Sequence, residues 1–154
     1  MQNILSQMPL NIRRQTVNSK GPQGETILHN AALPGCFEVA KYLIEECDSD
    51  LNAKDDDGHT PVHNAAHNGH TNILELMANK RSCDFNQKDK TGRIPLHYAS
   101  QNGHLGTVTF LVSQQHADIM NEDQILVIPL QLAASNGHLD ISVSYTHLTL
   151  PTKA

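Results

Sequence analysis

The sequence repeats itself with a period of 34 residues, and this period limits what the chain can fold into. The segment Gly58–His70 has counterparts 34 residues earlier, at Gly24–Gly35, and 34 residues later, at Gly92–His104. A third step reaches Pro129–His138. A constant period of about 20 to 50 residues is typical of solenoids, in which a unit too small to bury its own apolar side packs against the next. The period therefore predicts an elongated array of units.

Each unit carries the signals of a first helix. Thr26 and Thr60 suit the N-cap position, and Pro61 suits the first helical turn. Leu and Ala follow at spacings of three and four, which predicts a short helix with a small apolar face. A glycine then ends the helix in left-handed backbone. These glycines are Gly35, Gly69 and Gly103. Asn-Gly pairs also occur in strand hairpins, but the flanking residues do not alternate, so the helix-end interpretation is favoured.

A second helix and a turn complete each unit. Apolar residues dominate 37–44, 72–77 and 107–112, which predicts a helix in each of these segments. The links that follow contain Asp55–Gly58 and Asp89–Gly92, and Asp and Gly at these spacings are typical of turns. One unit is therefore predicted to be helix, tight turn, helix and protruding turn.

These units resemble ankyrin repeats, whose signature Thr-Pro-Leu-His-x-Ala is nearly matched by residues 60–65. The resemblance covers residues 24–142. It implies an all-α ankyrin-repeat solenoid of helix-turn-helix units with protruding turns, three full repeats and a partial fourth. The repeats are assigned to residues 24–57, 58–91, 92–125 and 126–142. The family's period is about 33 residues, and the extra residue is assigned to the loop after the second helix.

The N-terminal segment 1–23 is interpreted as a cap or as the remnant of a preceding repeat. Val17-Asn18 lies one period before Leu51-Asn52, which favours the second interpretation. We expect Asn3 to Met8 to form the end of a helix that Pro9 stops.

The fourth unit departs from the pattern. Leu126 stands where the other units have glycine, at a cost of about 1 kcal/mol if its φ is positive. Ile128 replaces the capping Thr, as Ile94 does in the third unit, and each loses about 1 kcal/mol of capping. Gln131 replaces the signature histidine. We expect the region 120–142 to be the loosest part of the array.

The segment 143–152 resembles one translated frame of the adapter used in transposase-based DNA library preparation. Its Thr, Pro and β-branched residues do not suit the helix interior that the repeat register requires there. We expect 143–154 to be a non-native tail, which is no part of the ankyrin-like array. The natural protein would then continue beyond Ser142.

Composition excludes several classes of function. The net charge of −5 gives no basic field for nucleic acid, and no apolar run approaches the ~18 residues of a membrane span. Three cysteines at scattered repeat positions indicate reduced thiols. We expect a cytoplasmic monomer that binds neither nucleic acid nor membrane.

Two clusters contain residue types that can bind a metal ion. The four histidines of the second unit follow one another at spacings of four, four and three, which partly aligns them on a helix. Because two of them recur at the same position in other units, hydrogen-bonding framework histidines are favoured over zinc. These four histidines are His59, His63, His67 and His70.

The second cluster is the run Asp55–Asp57. It lacks the EF-hand spacing of a calcium site and is typical of an acidic turn.

Nucleophilic catalysis has no support in the pattern. Cys36, Cys47 and Cys83 fall at three different repeat positions, without a fixed histidine partner. We therefore expect no enzyme activity and no cofactor.

The resemblance to ankyrin proteins implies a protein-interaction scaffold that binds a protein partner through its concave face and turn tips. The alternative is a targeting or regulatory segment of a larger enzyme or signalling protein that is truncated here. The implied partner-binding residues are Lys54, Asp56, Asp57, His59, His67, Asn68, Lys88, Lys90, Thr91, Arg93, Gln101 and Asn102.

Overall fold

The computed structural model describes residues 2–125 and 127–149, and every regular element in these two ranges is an α-helix. The helices are α1 (Gln2–Gln7), α2 (Leu10–Val17), α3 (Ile27–Ala32), α4 (Phe37–Glu46), α5 (Pro61–His67), α6 (Thr71–Ala78), α7 (Pro95–Gln101), α8 (Leu105–Ser113), α9 (Pro129–Ser135) and α10 (Leu139–Thr149). None of them is both long and apolar enough to cross a lipid bilayer.

The helices form two layers. The first helices α3, α5, α7 and α9 pack side by side, and the second helices α4, α6, α8 and α10 pack side by side behind them. Protruding turns connect each second helix to the next first helix. The predicted all-α solenoid of helix-turn-helix units is confirmed.

The second unit shows why the first helices form. Thr60 has extended backbone at the N-cap, and Pro61 occupies the first turn, where its missing N–H has no intrahelical partner to lose. Val62, Ala65 and Ala66 are buried on one face. Gly69 has a φ of 73°, a left-handed conformation that ends the helix. The helix-end interpretation of the Asn-Gly pairs is confirmed.

One continuous apolar core runs between the two layers. It extends from Val17 to Tyr145 and includes large side chains from the second helices, such as Leu74, Met77 and Leu111. Small alanines of the first helices allow these side chains to approach closely. Each buried side chain of this size stabilises the fold by about 1.5 to 3 kcal/mol, and the units stabilise one another because they share this core.

The N-terminal segment contains one helix that the sequence predicted and one that it did not. α1 ends before Pro9, as expected, but a second helix then begins at Leu10. Its Val17 is fully buried, in register with the buried Leu51 one period later. Leu10 is 61% exposed, so α2 lacks the apolar face that would have revealed it.

Ile94 and Ile128 stand at the N-caps of α7 and α9, as the register predicted. An isoleucine side chain has no hydrogen-bond acceptor. The N-cap amide of Ile94 nevertheless donates to Nδ1 of His97 (3.2 Å), and its side chain is only 1% exposed. The expected capping cost at Ile94 is therefore offset by burial of its side chain. Leu126, the other expected defect, lies outside the described residues.

The expectation that residues after Ser142 do not suit a helix interior was wrong for 143–149, which continue α10. Tyr145 is buried, and its hydroxyl lies 2.9 Å from Oγ of Ser100. Helix propensities differ by less than about 1 kcal/mol among residues other than Pro. Burial of Ile141 and Tyr145, four residues apart, outweighs such differences. The origin of this segment stays a prediction, and 150–154 lie outside the described residues.

Candidate functional site

The signature histidines connect each unit to the next. Nδ1 of His63 accepts the backbone N–H of Thr60 (3.1 Å), so this nitrogen carries no proton. The proton is therefore on Nε2, which donates to the backbone oxygen of Arg93 in the next unit (3.1 Å). His29 and His97 make the same pair of bonds. We call these three arrangements the histidine bridges.

The histidine bridges require neutral imidazoles. Burial lowers the pKa of His63 to about 4, and it also lowers the pKa of His29 and His97. A proton added at Nδ1 would face the N-cap amide, which is itself a donor. These side chains thus serve the framework, as the recurrence of the histidines predicted.

A second set of histidines covers the glycines that end the first helices. Nε2 of His104 donates to the backbone oxygen of His67 (3.0 Å), which places the ring of His104 over Gly69. A Cβ atom on Gly69 would lie 2.6 Å from this ring. His70 lies over Gly35 and His138 over Gly103 in the same way. These positions need glycine both for the positive φ and for the close approach of the next unit.

An aspartate closes each protruding turn. Oδ1 of Asp55 accepts the backbone N–H groups of Asp57 (2.9 Å) and His59 (2.8 Å), and Asp89 and Asp123 make equivalent bonds. Neighbouring turns are joined by backbone bonds such as that from the amide of Lys90 to the oxygen of Asp57 (3.0 Å). The turns therefore form one continuous row beside the first helices.

A hollow of about 350 Å³ lies on the concave side of the first three units. We call it the first hollow, and its walls include Glu25, Asp55, His59, His67 and Tyr98. The rings of His59 and His67 lie 5.6 and 5.7 Å from the ring of Tyr98, centroid to centroid. Polar and aromatic side chains from two turns and two helices thus converge on one open space.

Asp89 lies under the edge of the first hollow and holds its aromatic wall in place. Its Oδ2 accepts the hydroxyl of Tyr98 (2.5 Å) and lies 3.4 Å from Nε2 of His59. Burial acts to raise the pKa of Asp89, but hydrogen bonds from His59, Tyr98 and Thr91 outweigh it and hold this pKa below its usual range. The hydrogen bond with Asp89 raises the pKa of His59.

A second hollow of about 340 Å³ lies on the other side of Tyr98, between Arg93, Asp123, Gln124 and Ile125. Nε of Arg93 donates to Oδ2 of Asp123 (2.9 Å). Its Nη1 donates to Oε1 of Gln101 (3.2 Å). The charge of Arg93 is therefore already paired within the array.

The predicted partner-binding residues fall into two groups. The first makes side-chain hydrogen bonds inside the array; for example, Nδ2 of Asn68 donates to the oxygen of Leu33 (2.7 Å) and Nζ of Lys54 to that of Lys88 (2.8 Å). This group consists of Lys54, His59, Asn68, Thr91, Arg93, Gln101 and Asn102. The second group is exposed along the turn tips and the concave face, and consists of Asp56, Asp57, His67, Lys88 and Lys90. The binding role of both groups stays a prediction.

Sequence reasoning missed Asp55, Asp89 and Tyr98 as elements of this face. Asp55 and Asp89 were interpreted only as turn residues. Tyr98 occupies the repeat position that is Asn30 in the first unit and Asn64 in the second. This change from Asn to an aromatic residue was the one feature of the sequence that could have indicated a special role for Tyr98. In the described part of the chain, no three or more His, Cys, Asp or Glu side chains are placed to hold a metal ion.

The family model for ankyrin repeats matches residues 28–123 in three copies. This chain belongs to the ankyrin-repeat family. A search of curated proteins found no match. Ankyrin repeats are generally protein–protein interaction modules and typically have no catalytic activity.

Proposed function

We propose that this ankyrin array binds a protein partner across its concave face and turn tips, without catalysis of its own. The observation that supports this proposal is the separation of polar groups into two kinds. Framework groups such as Thr60 and His97 are fully buried and are saturated by contacts inside the array. The hollows and turn tips instead present polar and aromatic side chains to solvent, and an extended surface of this kind is how stacked repeats bind partners.

Two further features belong to the proposal. The cysteines of the described chain form no disulfide, which suits a reducing compartment, and we propose a cytoplasmic location. We also propose that the module acts as a monomer. Its negative net charge supports the further proposal that it binds neither nucleic acid nor anionic membranes.

Affinity capture with the full chain as bait tests the binding surface. The variant Asp57→Ala/His67→Ala/Lys90→Ala removes three exposed side chains of the concave face and turn tips. We expect it to keep its helical circular dichroism and to capture its partner at least about tenfold more weakly, as loss of a few contact side chains commonly does.

The matched control is Lys41→Ala/Glu45→Ala, which removes one basic and one acidic side chain from the exposed side of α4. We expect this control to capture as much partner as the unmodified chain. If the control loses the partner and the triple variant keeps it, the interface lies on the second helices and the proposal is wrong.

A further inference from the structure

We infer that the first hollow receives a positively charged side chain, Arg or Lys, of the protein partner. This inference rests on the proposed function, because it specifies the chemistry of one position in that partner. It is carried by the charges, the rings and the size of the hollow.

The charges of the two hollows differ. Among the described residues, the lining of the first hollow contains the carboxylates of Glu25 and Asp55 and no Lys or Arg. Asp89 adds a third carboxylate beneath it, with a side chain only 1% exposed. In the second hollow, by contrast, Arg93 already pairs with Asp123. A cationic guest is thus attracted to the first hollow and has less to gain in the second.

The ring of Tyr98 favours the same guest. It lines the first hollow beside His59 and His67, whose rings lie 5.6 and 5.7 Å from it, centroid to centroid. A cation within about 6 Å of a Tyr centroid is attracted to the ring face, and the guanidinium of Arg93 already lies 6.0 Å from this ring. The volume of about 350 Å³ is near the lower limit for small-ligand sites and suits one long side chain.

The guest competes with a proton on His59. Protonated His59 pairs with Asp89 and Asp55, at 3.4 and 3.5 Å, and it also repels a second cation nearby. A neutral His59 removes this competing positive charge, so the negative field of the two carboxylates acts on the guest. The titratable and charged groups around His59 are Asp55 and Asp57 of its own turn, His29 of α3, His63 and His67 of α5, Asp89 of the next turn and Tyr98 of α7.

The test is a titration of the ¹⁵N-labelled full chain with Nα-acetyl-arginine amide, followed by heteronuclear NMR. We expect saturable shifts at His59, His67 and Tyr98. The neutral isostere Nα-acetyl-citrulline amide should bind about tenfold more weakly, since it lacks both the charge and the cation–π contact. Binding should tighten as the pH rises from about 6 to about 8, where a histidine titrates. The variant His59→Gln should abolish this pH dependence.

Matched charge-removing variants complete the test. Glu25→Gln keeps a side-chain oxygen that can accept the backbone N–H of Gln23, but it removes the negative charge. It should lower the affinity for Nα-acetyl-arginine amide about threefold. Glu75→Gln removes the same charge from the exposed side of α6 and should change nothing. Equal affinity for the arginine and citrulline probes, or shifts confined to Asp56 and Asp57, would overturn the inference. If Nα-acetyl-arginine amide shows no binding while the variant Asp57→Ala/His67→Ala/Lys90→Ala still loses its partner in affinity capture, the proposed function stands and only this inference is wrong.

Discussion

The first three units and the fourth begin their first helices alike but differ in how far the capping side chain reaches. In the fourth unit, Oε1 of Gln131 accepts the amide of Ile128 (2.8 Å), just as Nδ1 of His63 accepts the amide of Thr60. The imidazole carries a second nitrogen on its far side, and this nitrogen bonds the next unit. The comparison teaches that capping needs only one acceptor at this position, whereas joining the units needs a ring with an acceptor nitrogen on one side and a donor N–H on the other.

Truncation of a histidine bridge should give the largest effect. His63→Ala leaves the N–H of Thr60 without its acceptor in a buried site. It also removes one of the two hydrogen bonds to the carbonyl of Arg93, which keeps the bond from the amide of Asp89 (2.9 Å). Together with the cavity left by the buried ring, we expect a loss of about 3 kcal/mol. Gln131→Ala removes only a cap and should cost about 1 kcal/mol. Urea unfolding of both variants measures the difference. Equal losses would show that the bond to the next unit adds no stability.

Acid should weaken the histidine bridges next in order. The unfolded chain protonates His63 near its ordinary pKa of 6.5, but the folded chain does so only near 4. The unfolded state therefore binds the proton first as the pH falls. The contribution of His63 to the free energy of unfolding is fully present above about pH 6.5 and is lost progressively as the pH decreases towards 4. Between about pH 7.5 and about pH 5 this one group should remove about 2 kcal/mol.

The bridge variant His63→Gln isolates this contribution. The glutamine keeps a cap acceptor, as Gln131 does, and does not titrate. Urea unfolding at the two pH values should therefore show a smaller pH dependence than in the unmodified chain. His59 acts in the opposite direction, because its pKa is raised and its stabilising effect is lost as the pH rises. An unchanged pH dependence in His63→Gln would assign the acid sensitivity to other groups.

The glycines extend the comparison with a smaller effect. Gly69 and Gly137 have nearly the same φ, 73° and 77°, but only Gly69 is covered by a histidine of a following unit. Gly69→Ala must displace the ring of His104 and should cost about 2 kcal/mol, from backbone strain plus one lost hydrogen bond. Gly137→Ala meets no atom within 4 Å and should cost only about 1 kcal/mol of backbone strain. Thermal unfolding measures both, and equal costs would contradict the close contact.

The smallest effect should be a gain. Ile128→Thr supplies a capping hydroxyl at a half-buried position and should stabilise the chain by about 0.5 to 1 kcal/mol. The same change at Ile94 removes a buried apolar side chain and should be neutral or unfavourable. Hydrogen exchange would report both changes and would test whether 120–142 is the loosest region. A similar gain at both sites would show that burial of Ile94 contributes little.

Much of the fold followed from the period because the repeating residues control local backbone. Thr60 and Pro61 specify where a helix begins, and Gly69 specifies where it ends. Each of them acts through its own backbone conformation, so distant parts of the chain are not needed to predict these helix ends. The roles of Asn68 and Asn102 did not follow. The resemblance to ankyrin proteins implied partner contacts for both, yet both donate to a carbonyl of the preceding unit, at 2.7 and 2.8 Å. Such bonds depend on the distance between units, which a pattern within one unit does not contain.

The candidate site was predicted less completely than the fold for the same reason. His59 was identified by its place beside the framework, but its partners Asp89 and Tyr98 lie 30 and 39 residues further along the chain. Asp89 resembles an ordinary turn residue, and only its neighbours in space give it a second role. Complementary residues 30 positions apart, such as His59 with Asp89 and Arg93 with Asp123, were the signal in the sequence that would have revealed the cluster.

The amide oxygen of Asn18 accepts the backbone N–H of Asp50, and Asn52 and Asn86 repeat this bond to Asp84 and Asp118, each time 32 residues ahead. Such bonds couple each unit only to its immediate neighbour. A perturbation at one end of the molecule therefore reaches the other end through every interface between them. Rigidity acquired by a single pair of units on binding a ligand is shared first with the units on either side.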